Sequence, residues 1–171
     1  MGIYVVQVVG GRERTAQDLL CRHASDVIDE CFQPMYDIKK RKDGEWRTVR
    51  EVLFPGYLFV RTKHPTELAA RMRDIPVFMR LLAGGDNTFI PLEAHEIAWL
   101  ESFTTCVNRV VEMSEGIIEG DVVTVTKGPL KGHEALIARI DRHKRLAYLD
   151  LRMFGRDKRV RVGLEIVRKN A

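Results

Sequence analysis

The sequence predicts two modules in order, an α+β domain with helices on a mostly antiparallel sheet and then a small β-barrel. Residues 1–111 alternate apolar strands with amphipathic helices, which is the pattern of helices packed on a sheet. From Glu119 onward, short strands follow one another with turn signals between them, which is typical of a small barrel. The charge changes near the same point. Residues 1–118 hold 15 Lys and Arg against 17 Asp and Glu, and residues 119–171 hold 13 against 7.

The boundary between the two modules is expected in a short linker. Residues 105–118 lose the periodicity of the elements before them, and Ser114-Glu115-Gly116 is a mixed, polar stretch. We therefore expect one domain at residues 1–111, a linker at 112–118 and a second domain at 119–171. The basic excess of the second domain points to a nucleic-acid contact there.

The first domain is organised around the apolar run that begins at Val52 and ends at Val60, with the sequence VLFPGYLFV. Its Pro-Gly pair predicts a kink, because proline lacks a ladder donor and glycine tolerates unusual backbone angles. A strand should start at Tyr57, with Tyr57 and Phe59 on one face and Leu58 on the other. The two aromatic rings are either a second core layer or a docking surface for another protein.

The remaining elements of the first domain follow from periodicity and turn residues. Asp43-Gly44 is a hairpin signal, and Lys39, Lys40, Arg41 and Lys42 make the tip of that hairpin basic. The predicted elements are a strand over Ile3–Val9, a helix over Arg12–Glu30, the hairpin over Phe32–Val52, a helix over Pro65–Arg73, strands over Val77–Leu82 and Thr88–Ile90, and a helix over Pro91–Thr104.

The second domain shows five short apolar segments. Gly132 ends a tight link between the first two, because glycine allows a positive φ there. The predicted strands are Val122–Lys127, His133–Asp141, Arg145–Leu151, Arg159–Val162 and Glu165–Val167.

The sequence shows few features of an enzyme, a metal-binding protein or a membrane protein. The five histidines are scattered, and Gly10-Gly11 lacks the further residues that cradle a phosphate. We expect no catalytic residues, no metal site and no cofactor. The three cysteines show no metal or disulfide pattern and are expected to be reduced thiols in the cytoplasm. No apolar run reaches the length of a membrane-spanning helix.

Three motifs, in one order along the chain, resemble the NusG family of transcription elongation factors. They are IYVVQVVGGRERTAQDLL, LFPGYLFV and EGDVVTVTKGPLKGHEALIARI. The resemblance covers nearly all of the chain. It implies an NGN domain, an α/β sandwich with an antiparallel sheet, followed by a KOW domain, a small SH3-like β-barrel.

The resemblance also implies a protein partner for the first domain. NGN domains receive the clamp helices of the RNA polymerase largest subunit in an apolar depression of the sheet. On this sequence, Tyr57 and Phe59 match that depression, Tyr4 and Phe54 would add to it, and Pro55 and Gly56 would shape its rim. Buried aromatic anchors are usual at such interfaces. The alternative is that these rings belong to the core.

A DNA contact is implied at the start of the first helix. In the family this region lies near the upstream DNA fork and the non-template strand. Arg12 and Arg14 stand there, and Arg71 and Arg73 follow on the later helix, with the Lys39–Lys42 tip as a further candidate. Plain solvated charge is the alternative for each of them.

The basic loops of the second domain are the candidates for RNA binding. Phe154 could stack on a base, or it could close the end of the barrel. The candidate residues are Lys127, Lys131, Arg142, Lys144, Arg145, Arg152, Phe154, Arg156, Lys158 and Arg159. These loops make the chain resemble LoaP-type antiterminators, which implies a monomer that reads a nascent RNA hairpin. The alternatives are an ordinary NusG whose KOW domain binds proteins, and a ribosome-associated RNA-binding protein.

Overall fold

The computed structural model describes the backbone of residues 1–170 and the side chains of residues 1–167. Its elements are β1 (Gly2–Val8), α1 (Glu13–His23), β2 (Glu30–Phe32), β3 (Met35–Lys42), β4 (Glu45–Val52), β5 (Tyr57–Thr62), α2 (Pro65–Met72), β6 (Met79–Leu81), α3 (Ala94–Phe103), β7 (Val110–Val111), β8 (Ser114–Glu119), β9 (Val122–Lys127), a 3-10 turn (Glu134–Leu136), β10 (Ile137–Asp141), β11 (Leu146–Met153) and β12 (Arg156–Asn170). They form two compact units, residues 1–33 with 54–97, and residues 34–53 with 98 onward.

The first unit contains a four-stranded antiparallel sheet in the order β2-β5-β1-β6. One face of the sheet packs on α1 and α2. Val6, Val8, Leu58 and Val60 supply the strand side of this core, and the helices contribute apolar residues that include Leu20. The central strand therefore starts at Tyr57, as predicted, and Leu58 faces helices that lie close to it in sequence.

The second unit contains two sheets. The smaller has the order β4-β3-β7, and its hairpin turns at Asp43-Gly44, where φ is 53° and 81°. Two positive φ values in succession are the geometry that the Asp-Gly signal predicts. The larger sheet has the order β10-β11-β12-β8-β9, with β8 and β12 parallel and the other pairs antiparallel. The sequence predicted the α+β class, with a helix-on-sheet domain followed by a β-rich domain, and the structure confirms this class.

The β3–β4 hairpin lies directly against β12 in this second unit. A Cβ atom placed on Gly163 would overlap the carbonyl oxygen of Asp37 in β3 and the sulfur of Met113. Gly163 is therefore required by a close approach of two backbones rather than by a turn. Because Gly163 lies inside β12, the two strands predicted at Arg159–Val162 and Glu165–Val167 are one continuous strand.

Several other elements differ from the sequence expectations. The strand expected over Thr88–Ile90 is reduced to a single bridge between Ala83 and Phe89, and the strand expected from His133 begins at Ile137, after the 3-10 turn. The first helix ends at His23 and not near Glu30, because Ala24 leaves the helical conformation and Val27 turns into the core. A strand, β8, occupies most of the segment expected as a linker. Gly116 weakens its strand pattern, yet a Cβ there would come within 2.9 Å of the Thr124 carbonyl oxygen, so only glycine lets β8 pair so closely with β9.

Candidate functional site

The aromatic residues of the LFPGYLF motif form a buried cluster in the first unit. Phe59 stacks on Phe32 with ring centroids 5.5 Å apart, because β2 pairs Phe32 with Phe59, and it packs against Phe54 at 5.6 Å. Phe54, Tyr57 and Phe59 are all buried. Aromatic pairs of this kind stabilise a fold beyond their area burial. In this structure the three side chains are therefore part of the core.

Tyr4 does not share a surface with these rings. The β1–β5 register pairs Tyr4 with Val60 and Val5 with Phe59, so Tyr4 lies on the helix-covered face of the sheet. The expected grouping of Tyr4 with Tyr57 and Phe59 is wrong, because the sequence alone did not give the register of the two strands. Pro55, at the expected rim, is exposed.

A buried carboxylate holds the Pro55-Gly56 kink in place. One oxygen of Glu13 accepts hydrogen bonds from the backbone N–H groups of Gly56, at 2.8 Å, and Gly11, at 3.1 Å. Gly11 and Gly56 both have φ near +85°, and the Gly56 carbonyl accepts from the Val8 N–H. Burial alone would raise the pKa of Glu13, but these N–H donors lower it below its ordinary value. Glu13 was not among the predicted site residues, although an acid in the first turn of a helix is a known partner for free N–H groups.

The arginines expected near DNA divide into two groups. Arg12 and Arg14 are exposed at the start of α1, and Arg12 lines a cavity of about 390 Å³ together with Val9, Thr15, Ala16, Pro76, Val77 and Phe78. Arg71 instead binds Asp26 through two hydrogen bonds, at 2.6 and 2.7 Å, and contacts Glu67 at 3.1 Å. Its guanidinium lowers the pKa of Asp26. Arg73 is exposed.

Several candidate RNA-binding side chains of the second unit form ion pairs within the chain. Arg159 binds the Asp150 carboxylate at 2.7 and 3.1 Å, and Arg152 contacts Asp157 at 3.2 Å. The Lys158 ammonium lies 5.7 Å from the centroid of the half-buried Phe154 ring. Five further candidates are exposed in loops or at strand ends: Lys127, Lys131, Arg142, Lys144 and Arg156.

A second set of cations gathers where the basic hairpin meets the 141–145 loop. The Arg145 guanidinium lies 3.7 Å from the centroid of the Trp46 ring and 3.2 Å from Glu165, which also binds Lys39 at 2.7 Å. On the other side, Glu51 binds Lys40, lies 3.7 Å from Arg161 and accepts from the Tyr36 hydroxyl at 2.7 Å. The Lys40 ammonium lowers the pKa of Glu51. Lys39, Lys40 and Arg145 were among the predicted contact residues, but Arg161 and Trp46 were not, because nothing in the sequence joins these two segments.

The glycine-flanked loop of the second unit is held by its neighbours. Leu130 is buried and its N–H donates to Ser114 Oγ at 3.1 Å, and Gly128 and Gly132 both have positive φ. The Glu134 carboxylate accepts from the Val125 N–H at 2.9 Å. Lys127 and Lys131 therefore project from a fixed turn.

Two cysteines of the first unit are neighbours. The Cys31 thiol hydrogen-bonds to Cys21 and lowers the pKa of Cys21 to about 7, while Cys21 is exposed at the surface. Among the described residues, no three His, Cys, Asp or Glu side chains gather in a way that could hold a metal ion. In the same part of the chain, no helix has the length and apolarity needed to cross a bilayer.

Comparison with known proteins gives two domain matches in the order that the sequence predicts. Residues 2–101 match the family model described as "Transcription termination factor nusG", and residues 119–152 match the KOW motif. This combination defines a transcription termination/antitermination factor. The chain belongs to the NusG family.

Individual relatives agree with this assignment over nearly the whole length. The transcription termination/antitermination protein NusG of Helicobacter pylori (strain ATCC 700392 / 26695) is 26% identical over 170 residues, which cover 95% of this chain and 94% of that protein. The protein of the same name from Rickettsia felis is 24% identical and covers 98% and 89%. The solved structure "Domain interaction in Thermotoga maritima NusG" superposes with a TM-score of 0.55 at 19% identity, over 95% of this chain and 93% of that one, and supports the fold.

Proposed function

We propose that this chain is a non-enzymatic, cytoplasmic elongation or antitermination factor that binds RNA polymerase through its NGN domain and a nascent RNA hairpin through its KOW domain. The observation that carries the proposal is the pair of family matches at residues 2–101 and 119–152. The clamp helices of the polymerase largest subunit are the partner that the family implies.

The structure bears on where the polymerase would dock. Phe54, Tyr57 and Phe59 are core residues here, so they would act by shaping the sheet. The exposed Pro55, fixed by the Glu13 hydrogen bond to Gly56, is the part of the motif that a partner can reach. We therefore place the rim of the docking surface at Pro55-Gly56.

A substitution at Pro55 tests this placement without opening the core. We expect Pro55→Arg to weaken binding to core RNA polymerase by at least about tenfold, because it puts an unpaired charge and a bulky side chain at the interface. Ala70→Arg is the matched control, since Ala70 is exposed on α2. Binding is measured by fluorescence anisotropy of the labelled full chain, with thermal melting as the check on folding. Equal binding by both variants would contradict the placement.

The RNA part of the proposal rests on the exposed loops. Lys127 precedes the fixed Gly128–Gly132 turn and Lys131 lies within it, while Arg142 and Lys144 are exposed on a later loop. Backbone phosphates of a hairpin are the natural partners of such loops, because an A-form stem hides its base edges. A chain that uses RNA in this way would be a specialised antiterminator of the LoaP type and act as a monomer.

One observation favours a protein partner for another part of the KOW domain. On β11 and β12 the arginines at 152 and 159 are already paired with carboxylates. This face is therefore close to neutral, and a protein could bind it as in an ordinary NusG.

Arg12, Arg14 and Arg73 remain our candidates for contact with non-template DNA. Arg12 and the exposed Phe78 line the same cavity, so a cation and an apolar side chain lie at one surface site. Arg71 is a weaker candidate, because Asp26 and Glu67 already hold its guanidinium.

A further inference from the structure

The β3–β4 hairpin and the 141–145 loop enclose a groove in the second unit. Its volume is about 370 Å³, and its two sides come from segments far apart in sequence. The lining residues are Ile38, Lys39, Lys40, Arg41, Trp46, Glu51, His143, Lys144, Leu146 and Arg161. These described lining residues thus include five Lys and Arg side chains and one carboxylate, that of Glu51.

The ion pairs of this groove leave it with an excess of positive charge. Glu51 is shared between Lys40 and Arg161, and Glu165, at its border, is shared between Lys39 and Arg145. Each carboxylate thus holds two cations. Arg41 and Lys144 are both exposed, and Lys144 shares its loop with the Asp141 carboxylate. A polyanion would meet several cations at once here, and would release the counterions that they hold.

Trp46 supplies an aromatic surface in the same place. Its side chain is exposed, and the Arg145 guanidinium stacks on its ring at 3.7 Å from the centroid. Because Trp46 pairs across the hairpin with Arg41, a ring and a cation stand next to each other on the lining. An exposed indole between cations is the combination on which nucleic-acid bases stack while their phosphates are neutralised.

The groove is built from fixed parts. Gly163 lets β3 lie directly against β12, and a Cβ at that position would overlap the Asp37 carbonyl oxygen. On the loop side, the Lys144 N–H donates to the Asp141 carboxylate at 3.0 Å, and Arg145 adopts a positive φ of 56°. A positive φ in a non-glycine residue is costly and is found where the surrounding structure imposes it. Little would need to move when a ligand binds.

We propose that this groove binds single-stranded nucleic acid, with phosphates on Arg41, Lys144 and Arg161 and one base stacked at Trp46. A single strand fits better than a duplex, because a paired base cannot leave its stack to reach the indole. The site goes beyond the proposed hairpin contact, since six of its ten lining residues come from β3 and β4 and not from the KOW domain.

The test uses the full chain and two labelled oligonucleotides, U12 and dT12, in anisotropy titrations. We expect Trp46→Ala to weaken binding by about tenfold or more, and Trp46→Phe to restore most of it. Arg41→Gln with Lys144→Gln should lower the slope of log K against log salt by about 1.4, at roughly 0.7 for each phosphate contact. Lys63→Gln with Arg22→Gln removes the same charge from exposed positions of the first unit and should change neither quantity.

Intrinsic fluorescence gives a second readout that does not depend on affinity. The chain has two tryptophans, so Trp99→Phe leaves Trp46 as the only reporter, and U12 should quench its emission as a base stacks on it. Tighter binding of U12 than of dT12 would assign the site to the transcript, and the reverse order would assign it to the DNA strand. Both results support the inference.

Three results would overturn the inference: no binding of either oligonucleotide, equal binding by Trp46→Ala and the parent chain, or polyglutamate of the same charge binding as tightly as U12. The last would make the groove a site for acidic protein segments. A leader RNA hairpin is titrated in parallel, with Lys127→Gln and Lys131→Gln as its own variant. Failure of the hairpin to bind, with Trp46-dependent binding of U12 retained, would contradict the proposed hairpin contact and leave the groove in place.

Discussion

At the scale of single residues, Glu13 connects the two glycine turns at Gly11 and Gly56 in the first unit. Glu13 as a whole is 5% exposed, and one of its carboxylate oxygens accepts hydrogen bonds from the backbone N–H groups of Gly11 and Gly56. Because these donors lower the pKa of Glu13 in the folded state, the ionised form stabilises the fold at any pH above the unfolded pKa. That stability is lost as the pH falls through the lower, folded pKa.

Replacing Glu13 by glutamine should therefore destabilise the chain in a pH-dependent way. We expect Glu13→Gln to lower the free energy of unfolding by about 1.5–3 kcal/mol at pH 7, the usual worth of hydrogen bonds to a charged group. The difference from the parent chain should shrink as the pH falls below about 4.3, where the unfolded carboxyl is protonated. Urea unfolding at several pH values measures it.

The control for this prediction is Glu101→Gln, which removes the same charge from an exposed position of α3. It should change stability by no more than about 0.5 kcal/mol. If Glu13→Gln lowers the free energy of unfolding by the same amount from pH 7 to pH 3, the packing of the Glu13 side chain, and not its charge, stabilises the fold. That result would contradict the prediction.

At the scale of secondary-structure elements, periodicity and turn residues predicted most of the fold. The hairpin at Asp43-Gly44, the strand from Tyr57 and the strand at Val122–Lys127 all stand where the sequence places them. Two of the errors involve glycines. Gly116 was included in the expected linker, and the strands expected at Arg159–Val162 and Glu165–Val167 were separated at Gly163, but both glycines lie inside strands at points where a neighbouring backbone segment comes too close for a Cβ. Sequence cannot distinguish a glycine that turns the chain from one that admits another backbone.

Gly163 provides the test of this explanation. We expect Gly163→Ala to lower the free energy of unfolding by about 1–3 kcal/mol, because the added methyl group overpacks the contact between β12 and β3. The measurement is denaturant unfolding followed by circular dichroism. The same variant should bind U12 more weakly, since β3 forms one side of the groove.

Gly85→Ala is the matched control for this substitution. Gly85 lies in an exposed loop, and a Cβ there meets nothing within 4 Å. Its effect should be neutral or slightly stabilising, by up to about 1 kcal/mol, through the unfolded state. If Gly85→Ala and Gly163→Ala lower the free energy of unfolding equally, the close-approach explanation is contradicted.

At the scale of the whole molecule, the sequence predicted the family and the order of its domains more successfully than it predicted the site. The motifs that carry the family are local, so they can be recognised along the chain. The groove is not local, because Trp46 and Arg145 meet only after the hairpin packs on the larger sheet. The same limit explains Tyr4, whose face depends on a strand register that the sequence does not state. The domain boundary at 112–118 stays a prediction, although β8 occupies most of that segment.

The central claim is that this chain binds RNA polymerase. Copurification of the polymerase with the tagged chain tests it most directly. The tagged chain is isolated from the cells that encode it, with and without ribonuclease, and the proteins that accompany it are quantified by mass spectrometry. We expect the polymerase subunits to be enriched in both samples and to be lost with Pro55→Arg. Enrichment of ribosomal proteins, with polymerase at the level of an untagged control, would contradict the claim and identify a ribosome-associated RNA-binding protein instead.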